Sequence, residues 1–165
     1  RDEGTTFTPL AIKTKDDLAA GVTQDHDLYV VGKSSDVARG DAFHSGNDGD
    51  TWTSIALDFE PYGVGVSGAD VFVVGRYGQV ARSSDKGASF TKTVDLNCGD
   101  VSGLVAQDAR VSLTCGEGHL YTSTDRGATF TMKPLPAQAE LLFPDGHGGL
   151  FAASDRGWSQ LLHYF

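Results

Sequence analysis

Apolar residues fall along this chain in short runs of four or five, and the runs recur in equivalent surroundings. Leu28-Tyr29-Val30-Val31-Gly32, Val71-Phe72-Val73-Val74-Gly75 and Val111-Ser112-Leu113-Thr114-Cys115 each follow a polar turn, at residues 25–27, 68–70 and 107–110. Another short apolar run precedes each turn, as at 63–66 and 103–106. After Gly75 a two-residue turn, Arg76-Tyr77, leads into a third run, Gly78-Gln79-Val80-Ala81-Arg82. Runs of this length, rich in β-branched and aromatic residues and bounded by turn signals, predict strands. Lys15-Asp16-Asp17-Leu18-Ala19-Ala20-Gly21 alone reads as helix, and it is too short to hold by itself.

The third run of each unit ends in a second shared string. Asp2-Glu3-Gly4-Thr5-Thr6-Phe7, Asn47-Asp48-Gly49-Asp50-Thr51-Trp52, Asp85-Lys86-Gly87-Ala88-Ser89-Phe90 and Asp125-Arg126-Gly127-Ala128-Thr129-Phe130 align directly. Ser45, Ser83 and Ser123 stand two residues before the last three, and the glycines are 45, 38 and 40 residues apart. A period of this size marks a blade-like repeat. Each unit reads strand A, turn, strand B, turn, strand C, string, strand D. The units predicted are blade 1 at 18–57, blade 2 at 61–95, blade 3 at 99–133 and strands A to C of blade 4 at 138–165. Residues 1–12 would supply strand D of that last blade and close it. The prediction is an all-β propeller of four-stranded antiparallel blades in one domain.

The string Ser-x-Asp-x-Gly-x-Thr/Ser-Trp/Phe resembles the Asp box, or BNR repeat, of sialidases, sortilin-type receptors, xyloglucanases and photosystem II assembly factor-like propellers. Residues 73–90 resemble the assembly-factor repeat most. The resemblance implies a structural role for Asp2, Asn47, Asp85 and Asp125. Their side chains would accept amide bonds across a turn whose glycine has positive φ, and the aromatic ring would plug the blade edge. The assembly-factor resemblance also implies a protein-binding propeller without catalysis. Propellers of these families usually carry six to eight blades. A four-bladed ring, half of an eight-bladed dimer and a piece of a longer protein therefore all stay open.

In such folds the D–A and B–C connections share the face where ligands bind. That face collects Lys33, Asp36, Arg39, Asp41, His44, Glu60, Tyr62, Arg76, Tyr77, Glu117 and Arg156 as contact candidates. Residues 33–44 form the longest excursion, a polar loop of the kind that carries contacts. It contains Arg39-Gly40-Asp41, an integrin-like tripeptide too short to set apart from a solvated loop. Arg39, Arg76 and Arg156 invite a sialidase-like carboxylate clamp with Glu60 and Tyr62 or Tyr77. The Phe/Tyr-Arg-Ile/Leu-Pro motif of that family is absent, however. A glycosidase pair has carboxylates to draw on in Asp58, Glu60, Asp100 and Glu140, with nothing to single out two of them. The expectation is a protein- or polymer-binding scaffold, not an enzyme; a glycan-binding or glycosidase-derived module is the alternative.

Charge narrows the partners. The formal net charge is −9 and no Lys/Arg cluster occurs, which argues against nucleic acid. No apolar run is long enough to span a membrane. The five histidines are scattered without metal-ligand spacing, so neither metal nor cofactor is expected. The chain starts inside a repeat, so any leader would lie upstream. Cys98 falls in a D–A segment and Cys115 ends strand B of the same blade. The A–B hairpin would bring them together, predicting a disulfide and an extracellular or periplasmic setting; two buried free thiols are the alternative.

Overall fold

In the computed structural model the described residues are 9–10, 12–35, 37–116, 118–136, 139, 141–154 and 160–164. They form fifteen strands in four antiparallel meanders. Sheet 1 holds β1 (Asp17–Gln24), β2 (Asp27–Lys33), β3 (Gly40–Ser45) and β4 (Thr53–Leu57). Sheet 2 holds β5 (Pro61–Ser67), β6 (Asp70–Gly75), β7 (Gln79–Ser83) and β8 (Thr91–Asp95). Sheet 3 holds β9 (Val101–Gln107), β10 (Arg110–Cys115), β11 (His119–Ser123) and β12 (Thr131–Pro134). Sheet 4 holds β13 (Leu141–Pro144), β14 (Leu150–Ser154) and β15 (Gln160–Tyr164). Within each sheet every strand pairs with its sequence neighbour, giving strands A to D of sheets 1–3 and the three described strands of sheet 4 in spatial order.

The core lies between sheets rather than within one. Val31, Ala42, Leu57 and Phe59 pack with Val73 and Ala81 across the gap between sheets 1 and 2. Val74 and Val80 meet Val101, Leu113 and Cys115 across the next gap, and Val105 and Leu120 meet Leu150 across the third. Strand β6 is buried at all six positions, which explains its unbroken apolar run: it is covered on both faces. The inner strands follow one another in a row, β1 against β5, β5 against β9 and β9 against β13.

Residues 15–21, too short a stretch to hold as a helix, form none: Leu18 and Ala20 pair with Gly32 and Val31 in β1, where blade 1 is expected to begin. One local expectation changes. The turn after β6 is a three-residue 3-10 turn, Arg76–Gly78, with Tyr77 at φ 59°. The expected closing strand D falls on residues 1–12, of which 1–8 and 11 lie outside the described residues, as do 155–159 and 165 of the last blade.

Candidate binding face

Each of sheets 1–3 has one end built from Ser-Asp turns. Ser83 Oγ donates to Asp85 Oδ1 (2.5 Å) and accepts from the Gly87 amide (2.8 Å). Asp85 in turn accepts from the Ser89 amide (3.0 Å) and hydroxyl (2.6 Å). Ser123, Asp125, Gly127 and Thr129 repeat this arrangement. These bonds favour the charged carboxylate and hold Asp85 and Asp125 at a pKa of about 2. For Asp85 the Ser83 hydroxyl is the largest cause, for Asp125 that of Thr129. In sheet 1 the neutral Asn47 substitutes: its Oδ1 accepts from Ser45 Oγ and the Thr51 amide (both 3.0 Å). The aromatics after the turns of sheets 2 and 3 pack inward, Phe90 on the first inter-sheet cluster and Phe130 on the second. Sequence reasoning missed a third carboxylate of this kind. Asp145 accepts from the His147 and Gly149 amides in the A–B turn of sheet 4 and pairs with His163 at 2.8 Å.

The opposite end gathers the D–A and B–C connections. Strand A enters each of sheets 1–3 through a one-residue bulge, which skips Ala19, Tyr62 and Ser102. A bulge re-aims the side chain it carries. Tyr62 stands 5.8 Å from Lys33 Nζ, measured to its ring centroid, and burial, then Asp100 and Glu60, push its pKa up. Arg76 donates to Glu60 Oε2 at 3.3 Å and lies 4.9 Å from the Tyr77 ring centroid. Lys33, Glu60, Tyr62, Arg76 and Tyr77 are therefore brought together, with Asp100 beside them.

This patch rests on a covalent brace. Cys98 and Cys115 form a disulfide, with Cα atoms 5.8 Å apart. Gly78, at φ +74°, lies so close that an added Cβ would stand 2.5 Å from Cys98 Sγ and 3.0 Å from Leu96 Cβ. The Leu96 amide closes the contact by donating to the Gly78 carbonyl (3.1 Å). Tyr77, 53% exposed, is thus presented on a turn locked to the next connection.

Other candidates separate. His44 is not on this face. It lies in β3 at the Ser-Asp turn end, stacked on Tyr29 (4.7 Å) and bonded to Asp27 (2.6 Å). The reason is register: residues 40–45 pair with β2, so the expected loop 33–44 shrinks to 34–39. Asp41 is likewise in β3, opposite Gly32, where burial and then Asp16 raise its pKa. Asp16 keeps one buried oxygen without a hydrogen bond. Arg39 stays in the loop, its carbonyl accepting from the Ser34 amide at 2.9 Å. Asp2, Asp36, Glu117, Glu140 and Arg156 lie outside the described residues. Among the described residues no cluster of three or more His, Cys, Asp or Glu is arranged to hold a metal, and no helix is long and apolar enough to cross a membrane.

No protein-family model and no curated protein sequence matches the chain. Solved structures do match it. YCF48 from Cyanidioschyzon merolae superposes with a TM-score of 0.72 at 16% identity, covering 94% of this chain and 55% of that one. YCF48 bound to D1 peptide gives 0.69 at 16%, covering 92% and 56%. The fold is a β-propeller. This chain spans little more than half the length of those relatives. A computationally designed protein, Ika4, matches over its whole length and 97% of this chain, with a TM-score of 0.67 at 10% identity. Identities this low establish the propeller fold alone.

Proposed function

We propose that this propeller is a non-catalytic scaffold that binds a protein segment or other polymer on the end carrying Arg76 and Tyr77. The observation that carries the reading is the pairing of an exposed Tyr and Arg on a turn that a disulfide and Gly78 hold rigid. Tyr and Arg dominate binding hot spots, and a preformed turn lowers the ordering cost of association. That a YCF48 structure contains a bound peptide supports a protein-binding use of the same fold. We read the Ser-x-Asp-x-Gly turns as Asp boxes with a structural duty, and the disulfide supports an extracellular or periplasmic setting. Tyr62, set beside Glu60 and Asp100, favours glycan binding as the second reading.

Peptide display on the folded chain tests the first reading. Selected peptides should lose at least about tenfold in affinity on Arg76→Ala or Tyr77→Ala and keep it on Asp125→Ala. Glycan-array binding that depends on Tyr62 would favour the second reading. Hydrolysis of a β-glucan or sialoside that disappears on Glu60→Gln would overturn the non-catalytic assignment.

A further inference from the structure

Among the described residues that take positive φ, Tyr77 is the one aromatic. Besides glycines, the others are Asp25, Asp48, Asn97 and Asp108, whose short polar side chains suit the left-handed region, and Lys86 and Arg126 of the Ser-Asp turns. A bulky side chain at φ 59° strains its backbone, and strain of this kind gathers at ligand sites. Packing does not call for the ring, because Tyr77 is exposed. Its place on the turn is therefore kept for something outside the fold.

Around this ring the patch is balanced in charge and rich in donors. Arg76 and Lys33 stand against Glu60 and Asp100, so no net charge selects a charged ligand. Arg76 uses Nη1 on Glu60, and its remaining guanidinium N–H groups have no acceptor among the described residues. Lys33 Nζ lies over the Tyr62 ring and makes no hydrogen bond among the described residues. Both side chains thus have N–H groups to offer to carbonyl oxygens. Tyr77 and Tyr62, each with one of these cations against it, add flat apolar surface.

Three kinds of peptide could meet such a surface. The patch lies at strand ends and turns, where an added strand finds no ladder to extend. A helix keeps its carbonyls in its own bonds and would leave the donors of Arg76 and Lys33 idle. A polyproline II segment has no internal hydrogen bonds, so its carbonyls are free, and its proline rings dock on aromatic ones. It is also stiff before it binds, which suits a turn that the disulfide already holds. We propose that the ligand is an uncharged, proline-containing extended peptide segment, with a proline ring on Tyr77 and backbone carbonyls accepting from Arg76 and Lys33. The inference rests on the binding-face reading above and adds the chemistry of the ligand.

A capped oligoproline titrated against the folded chain by fluorescence polarisation tests it, with capped oligoglutamate, oligolysine and Gly/Ser peptides of equal length as comparators. The oligoproline should bind saturably and at least about tenfold tighter than each comparator, and its affinity should change little with salt. Tyr77→Phe should keep that affinity, since the ring is what stacks. Tyr77→Gly should lower it at least about tenfold without lowering the melting temperature, because glycine accepts the positive φ. A fall in melting temperature with Tyr77→Gly would make the ring structural and overturn the proposal. So would equal or tighter binding of any comparator, or no oligoproline binding at about 1 mM. If display-selected peptides depend on Tyr77 but carry charged residues in place of proline, the ligand chemistry is wrong while the binding face stands. Selected peptides indifferent to both Arg76 and Tyr77 would overturn both.

Discussion

The two ends of the sheets hold their turns by different means. At the Ser-Asp end each turn is locked within itself, by hydrogen bonds between residues two to four apart. At the Arg76–Tyr77 end no side chain caps the turn; a single backbone bond, Gln79 N–H to Arg76 O, closes it, and it leans on the next connection through Gly78 and the Cys98–Cys115 bond. A self-contained turn can recur in any sheet, whatever lies beside it. A braced turn depends on its neighbour, and so it can differ from sheet to sheet. Structural repetition and room for specificity are thereby assigned to opposite ends.

Removing the brace should produce the largest change. Cys98→Ser with Cys115→Ser opens a loop of 17 residues and should lower stability by about 3 kcal/mol, read as a melting temperature roughly 6–12 °C lower. Loss of peptide affinity greater than that of stability would show that the brace positions Tyr77; an unchanged melting temperature would contradict the brace altogether. Gly78→Ala keeps the disulfide but forces a Cβ against it at positive φ, at a cost of about 1–3 kcal/mol by chemical denaturation.

At the other end the effects should be smaller and local. Asp125→Ala strands the Ser123 and Thr129 donors and should lower the melting temperature by several degrees, with binding at the far end intact. Asn47→Ala should lower it less, since a neutral acceptor is lost rather than a charged one. Acid offers the mildest probe. Asp85, Asp125 and Asp145 titrate at about 2, below their ordinary 3.8, so the stability they add is complete above pH 4. It should fade as pH falls from about 4 to about 2. Urea midpoints measured over that window should fall, and fall less in an Asp85→Asn, Asp125→Asn variant. An equal slope in the two proteins would show that these carboxylates titrate unperturbed.

Strand B could be read from the sequence because its burial on both faces leaves an unbroken apolar run, as in Val71 to Val74. The outer strands could not be read by pattern. β8 and β12 are almost wholly exposed, so Thr91 to Asp95 and Thr131 to Pro134 show no alternation, and only their place after the Phe of each turn marks them. The site was harder still. Nothing local distinguishes Tyr62, a bulge residue, from a pleated neighbour, and the approach of Asp16 to Asp41 exists only once β1 and β3 lie against β2. His44 was misplaced because a count of residues between strand B and the Ser-Asp turn cannot tell loop from strand.

The strict neighbour-to-neighbour meander has a kinetic consequence. Each sheet pairs only segments adjacent in the chain, so sheets 2 and 3 are each assembled from fewer than 40 consecutive residues. Short-range pairing keeps loop-closure entropy low and favours rapid formation. During synthesis, sheet 1 has all its strands before sheet 2 has left the ribosome, and every later sheet finds a finished surface to condense on. Cys98 lies in the connection that leads into sheet 3 and Cys115 ends its β10, so the oxidation step can wait for that hairpin and traps no earlier intermediate.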